Sequence, residues 1–165
     1  MPSLSPGGIK FMNSVWGLII AGFTLLLDQW SKNLVLKKII YGTSLPILPV
    51  FDLTLVFNKG ISFGFLSQHS ALGVYLLIGL TVGITSFMLY WLYKSQTRLA
   101  STGLGLIIGG AMGNIIDRIR MGAVVDFLDF HWGTYAFPAF NIADAAITVG
   151  ALCVVTNDIL FKKKS

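Results

Sequence analysis

The sequence predicts an all-α membrane protein with four transmembrane helices, a small extracytoplasmic β-sheet and a second extracytoplasmic loop. Of its 165 residues, 55% are hydrophobic and only 12% are charged, and the mean hydropathy is +0.77. Soluble domains average roughly a quarter charged residues. The apolar runs provide about four spans of roughly twenty residues each. The net charge of +5 comes from scattered Lys and Arg and from a lysine cluster at 162–164. Such clusters usually flank membrane spans, so a nucleic-acid partner is not predicted.

The N-terminal region divides into an extension and a first span. Residues 1–13 are rich in Pro, Ser and Gly, and we predict a flexible extension there. The membrane domain is predicted over 14–161, followed by a basic cytoplasmic tail at 162–165. The first span runs from about Ser14 to Leu36. Near its far end, Asp28 and Lys32 lie four residues apart and share a helical face. They could be a surface pair that snorkels to the interface or a buried pair that braces a site.

Residues 43–66 predict a small sheet at the membrane surface. Apolar and polar side chains alternate in FDLTLVFN, which is the period of a half-buried strand. Gly60 and Gly64 follow, at positions where the backbone can turn or approach a ligand closely. The segment is too polar to cross lipid, so its apolar face should pack on lipid or on helix ends.

Three further spans follow. The second is predicted at Ala71 to Tyr93, the third at Leu99 to about Ile116 and the fourth at about Asn141 to Phe161. Gly109 and Gly113 form a GxxxG pair that allows close helix contact. A loop is predicted at 119–139.

The number of spans places both termini on one side of the membrane. That side carries six basic residues, and so does the other. Without the site candidates Lys32 and Arg118, the count becomes six against four, which favours cytoplasmic termini by the positive-inside rule. All acidic residues except Asp158 then lie toward the outside, and so does the predicted site.

The candidate site is a pair of aspartates. Asp126 and Asp144 lie eighteen residues apart on opposite sides of one loop, and a carboxylate at a membrane boundary is costly enough to suggest function. Two close aspartates share a proton because both cannot easily ionise. The charged one can activate water, and the protonated one can polarise a carbonyl. As an alternative, Asn141 and Asp144 could be a helix cap and a first-turn acid. Asp117, three residues after Asn114 on the third span, is also not excluded as a catalyst, and an ion pair with its neighbour Arg118 is predicted.

The sequence lacks the motifs that other catalytic mechanisms require. There is no GxSxG or HExxH pattern. The histidines, His69 and His131, lie in different loops, and Cys153 is the single cysteine. A metal site at the aspartates would have only asparagine side chains as further ligands, so neither a metal nor another cofactor is predicted.

The alternative to catalysis by the aspartate pair is a small proton- or ion-coupled transporter, although four spans without a repeat are few for a carrier. A non-catalytic assembly subunit is a third possibility. A cleavage assay would separate catalysis by the aspartate pair from both the transporter and the assembly subunit.

Five motifs in order resemble the lipoprotein signal peptidase (signal peptidase II) family. They are DQWSK at 28–32, FNKGISFG at 57–64, GGAMGNIIDR at 109–118, VVDF at 124–127 and FNIAD at 140–144. The resemblance extends from about Leu18 to Leu160. It implies an aspartic peptidase of the bacterial inner membrane that cuts prolipoproteins before a diacylglyceryl-modified cysteine and is inhibited by globomycin. Membrane lipids and prolipoproteins would be its partners.

The resemblance also implies residue roles. Asp126 of VVDF and Asp144 of FNIAD match the catalytic pair. Two further groups match the family motifs by position. The substrate-positioning group is Asn58, Gly60, Asn114, Arg118 and Asn141, and the supporting group is Asp28, Lys32 and Asp117.

Overall fold

The computed structural model describes residues 6–60 and 71–161. Within them, the chain forms four helices and four strands. The helices are α1 (Pro6–Lys38), α2 (Ala71–Lys94), α3 (Arg98–Met121) and α4 (Ile142–Phe161). The strands are β1 (Ser44–Leu48), β2 (Phe51–Asn58), β3 (Val124–Trp132) and β4 (Tyr135–Ala136). Each helix is long and apolar enough to cross a membrane, so the predicted four-span architecture with a small sheet is confirmed.

Helix α3 lies at the centre and contacts each of the other three helices. Its glycines permit this arrangement. A Cβ atom on Gly109 would collide with the Ala21 carbonyl oxygen of α1, and one on Gly110 would lie 2.5 Å from the Ala143 oxygen of α4. Backbones this close leave no room for a side chain, which is the usual reason for small residues at membrane-helix interfaces. The GxxxG pair is therefore a packing feature, as predicted.

Two predicted helix boundaries are wrong. Helix α1 begins at Pro6, eight residues before the predicted start, so residues 6–13 continue the span and are not a separate extension. Proline suits the first helical turn because its missing N–H would have no partner there. Helix α3 continues beyond Ile116 to Met121 and ends at Gly122, whose N–H donates to the Arg118 carbonyl from a left-handed conformation (φ 70°). Residues 1–5 and 162–165, which include the predicted basic tail, lie outside the described residues.

About half of the loop predicted at 119–139 forms strands β3 and β4, which join the sheet. The sheet is antiparallel with the order β1-β2-β3-β4. Strand β3 was not recognised in VVDFLDFHW because its first four residues are all buried. Burial on both faces removes the alternation that identifies a half-exposed strand.

The sheet packs on the helix ends. Val35 of α1, Leu55 of β2 and Val125 and Phe127 of β3 form one buried cluster, against which Ile142 of α4 also packs. This agrees with the predicted packing of an apolar sheet face. The cluster holds the start of β3 beside the first turn of α4, and this contact brings the two halves of the candidate site together.

Candidate active site

Asp126 and Asp144 are both hydrogen-bonded to one residue, Asn141. Asp126 lies on β3 and is 1% exposed, whereas Asp144 lies in the first turn of α4 and is half-buried. Asn141 is completely buried. Its side-chain amide donates to Asp126 Oδ1 at 2.7 Å, and its backbone N–H donates to Asp144 Oδ2 at 3.3 Å. Asn141 therefore hydrogen-bonds to both carboxylates and fixes their positions relative to each other.

The same residue caps α4. Asn141 Oδ1 accepts from the Asp144 backbone N–H at 2.9 Å, while Asp144 accepts from the Asn141 N–H. This reciprocal pair satisfies two donors at the helix start. The alternative interpretation of these residues as a helix cap is correct, but it does not compete with the site, because the cap bonds also orient Asp144.

Three asparagine amides point toward the aspartates for the same physical reason. In each, an N–H donor holds the side-chain oxygen, so the NH₂ group faces the other way and donates to a carboxylate. The Gly60 N–H holds Asn58 (2.9 Å), Lys32 Nζ holds Asn114 (3.0 Å), and the Asp144 N–H holds Asn141 (2.9 Å). Asn58 then donates to Asp126 and Asn114 donates to Asp144, both at 2.9 Å. In this structure, Asn114 and Asn141 bind the carboxylates, so the substrate contacts predicted for them stay a prediction.

A buried ion network lies beside this set. Lys32 Nζ is 2.8 Å from Asp28 Oδ2 and 2.8 Å from Asp117 Oδ2, and all three side chains are at most 2% exposed. Asp28 and Lys32 are therefore a buried pair and not a surface pair that snorkels to the interface. Asp28 also accepts from the Ala143 N–H of α4, and Asp117 accepts from the Val125 N–H of β3. The network therefore fixes the residues immediately before the two aspartates.

The prediction of an ion pair between Asp117 and Arg118 is wrong, because the described residues show no such pair. Asp117 pairs with Lys32 instead, since neighbouring residues on a helix point about 100° apart. Sequence reasoning also missed Gln29, whose amide donates to Asp28, Asp117 and the Gly113 carbonyl. Its place inside the DQWSK motif was the only available signal.

Arg118 has spare hydrogen-bonding capacity. Its Nη1 reaches the Asn114 carbonyl only at 3.5 Å, and its buried Nε has no hydrogen-bond partner among the described residues. A buried donor without a partner is costly. The guanidinium therefore keeps an unused donor within the described part of the chain.

The environment of Asp126 favours its protonated form. The pKa of Asp126 is raised to about 6; burial is the largest cause, and the nearby charge of Asp144 acts in the same direction. Hydrogen bonds from Asn58 and Asn141 act in the opposite direction but do not cancel the effect of burial. A carboxyl that holds its proton near neutral pH can act as a general acid.

A cleft of about 620 Å³ opens on the sheet at Asp126. Asn58, Lys59 and Gly60 line one part of it, and residues 136–139 line another. Gly60 has a φ of +93°, and a Cβ atom there would lie 2.6 Å from the Leu77 side chain of α2. Only glycine suits this turn, which in turn orients Asn58. Gly64 lies outside the described residues.

The structure thus brings most of the predicted site residues into one connected group. Asp126 and Asp144 share Asn141, while Asn58 and Asn114 each hold one aspartate. Three others, Asp28, Lys32 and Asp117, form the adjoining network. Arg118 and Gly60 lie at its edge.

Comparison with known proteins identifies consistent relatives. The family model for signal peptidase (SPase) II matches residues 20–160. A lipoprotein signal peptidase of Azoarcus sp. (strain BH72) is 44% identical over 152 residues, which cover 91% of this chain and 86% of the relative. One from Burkholderia vietnamiensis is 45% identical over 141 residues, which cover 85% of each chain. A solved bacterial membrane enzyme superposes with a TM-score of 0.77 at 30% identity, covering 88% of this chain and 92% of the other.

Proposed function

Because this chain belongs to the lipoprotein signal peptidase (signal peptidase II) family, we propose that it removes signal peptides from prolipoproteins by aspartic-peptidase chemistry. The cut would fall before the diacylglyceryl-modified cysteine, as the family resemblance implies. The observation that carries the mechanism is Asn141, which holds both carboxylates in one buried arrangement. Membership of a peptidase family argues against the carrier considered from the sequence.

The two aspartates take different roles in this proposal. Asp126 carries the shared proton, because its pKa is raised to about 6, chiefly by burial. Asp144 accepts a proton from water as the water oxygen attacks the scissile carbonyl carbon, while Asp126 donates its proton to the carbonyl oxygen. When the intermediate collapses, one of its two hydroxyl groups returns a proton to Asp126, the C–N bond breaks, and Asp144 passes its proton to the leaving amine. The products are the carboxylic acid of the signal peptide and the free amino group of the lipid-modified cysteine.

Arg118 and the cleft would position the substrate. The Arg118 guanidinium, whose Nη1 reaches the Asn114 carbonyl only at 3.5 Å, can donate to a substrate carbonyl oxygen. On the sheet, β1 pairs with β2 only as far as Thr54, so residues 55–58 have no strand partner on that side within the described part of the chain. An extended peptide can add to such an edge through main-chain hydrogen bonds, which accept many side chains. The predicted cradle at 57–66 continues into residues 61–66, which lie outside the described residues.

The proposed location is the bacterial inner membrane, with both termini cytoplasmic and the aspartates near the outer face. The basis is the distribution of Lys and Arg described above. Reporter fusions after Gln96 should read cytoplasmic, and fusions after Gly42 should read extracytoplasmic. The reverse pattern would refute this orientation.

The direct test is cleavage of a lipidated prolipoprotein by the purified enzyme in detergent, with and without globomycin. Asp126→Asn and Asp144→Asn should each abolish cleavage while the protein stays folded, since an amide cannot accept a proton as a base. The double variant should be little worse than either single variant, as expected for groups that act as a unit. Asp117→Asn is the matched control, because it removes a buried carboxylate that contacts neither aspartate directly. It should lower stability more than turnover. Substantial cleavage by either catalytic variant, with none by Asp117→Asn, would move the catalytic role to Asp117.

A further inference from the structure

Two charged residues of the cleft take no part in the proposed chemistry. Asp129 of β3 and Lys59, just after β2, both line the cleft together with Asp126. Within the described part of the chain, neither side chain has an ion pair or a hydrogen bond. The site therefore presents two uncompensated charges to whatever occupies the cleft.

The strand register places these charges on opposite sides of Asp126. Val56 lies opposite Asp126, Asn58 lies opposite Val124, and the ladder continues to Asp129 in the other direction. Lys59 follows Asn58, so it lies beyond one side of Asp126. Asp129 is three residues from Asp126 on the other side, which corresponds to about 10 Å of extended strand.

We propose that Asp129 is a specificity-determining residue that reads the charge of a substrate side chain about three positions from the scissile bond. The inference rests on the proposed function, since it takes the bond to be cut at Asp126. An extended peptide in the cleft rises about as much per residue as β3, so three residues of substrate span the distance from Asp126 to Asp129, which both line the cleft. Asp129 favours a basic residue there and disfavours an acidic one.

The preference is expected to be modest. Asp129 is only half-buried, and an ion pair between partly exposed groups changes a rate ratio by up to roughly fivefold. A basic substrate should therefore be cleaved about two- to fivefold faster than its acidic counterpart. The ratio should shrink at high salt, because screening shortens the range of exposed charges. Main-chain binding in the rest of the cleft still allows every substrate to be processed.

The test is an internal competition between lipidated prolipoproteins that differ at one position. Lys, Gln or Glu is placed three residues from the scissile bond, on one side or the other, and the variants are mixed in one reaction. The ratio of kcat/KM values is then independent of how much of the enzyme is active. On one of the two sides, the wild type should prefer Lys over Glu. Asp129→Asn should bring that ratio close to one, and Asp129→Lys should reverse it.

Asp52 provides the matched control. It lies directly opposite Asp129 in the ladder but does not line the cleft. Asp52→Asn should therefore leave the preference unchanged. Equal cleavage of all substrates by the wild type, or a preference that persists in Asp129→Asn, would overturn the inference while the peptidase function stands. If the wild type cleaved none of them, the proposed function itself would be refuted, and the inference with it.

Discussion

Replacing Lys32 by Met tests the buried ion network. Methionine retains most of the length of the side chain but removes the charge that lies 2.8 Å from both Asp28 and Asp117. Breaking a buried ion pair by removing one partner costs about 3–5 kcal/mol, because it leaves an uncompensated charge. Gln29 and two backbone N–H groups still bind the carboxylates, so we expect a loss near the lower end, about 3 kcal/mol.

Activity should fall as well, for a separate reason. Lys32 is the donor that holds the Asn114 oxygen, and through it the amide that donates to Asp144. Without Lys32, this amide can rotate, and turnover should decrease even at temperatures where the variant is folded. The control is Lys37→Met, an exposed lysine on the same helix, which should change stability by less than about 0.5 kcal/mol.

The assay is reversible unfolding in mixed micelles, combined with prolipoprotein turnover by the folded fraction. Adding Asp117→Asn to Lys32→Met removes one of the two uncompensated carboxylates. The double variant should therefore lose less stability than the sum of the two single variants, with a coupling of about 1–3 kcal/mol. Strict additivity, or a Lys32→Met protein as stable and active as the wild type, would refute the reasoning.

Three further predictions follow from the same contacts. If Asp126 is the proton donor, kcat/KM measured across pH should fall as the pH rises through about 6, because the required proton is then lost; a profile that only rises there would make Asp126 the base. Gly113→Ala should destabilise the protein by about 1–3 kcal/mol, since the new methyl group collides with the Asp28 carboxylate. In the same unfolding assay, Gly79→Ala, which meets no neighbour within 4 Å, should cost nothing. Arg118→Ala should reduce turnover by roughly a hundredfold with normal expression, as for other donors that meet developing charge; a fully active variant would exclude the role.

The sequence by itself determined the membrane class and the number of spans, and it predicted Asp126 and Asp144 as the candidate pair. Long uncharged apolar runs have few alternatives to crossing a bilayer, and a carboxylate placed beside one needs a reason to be there. The order of the five motifs then predicted the family. The alternation of FDLTLVFN was enough to predict β2, because only one of its faces is covered.

Only the tertiary structure decided how the site is held together. Strand β3 was missed because both of its faces are buried at Asp126, which removes the alternating pattern. The pairing of Asp117 with Lys32 was misassigned because the partner lies on another helix, 85 positions away in the sequence. The orientation of the Asn114 amide also depends on Lys32, a donor from a different helix. Local sequence determines which segments cross the membrane, whereas charge compensation in a buried site depends on which helices meet.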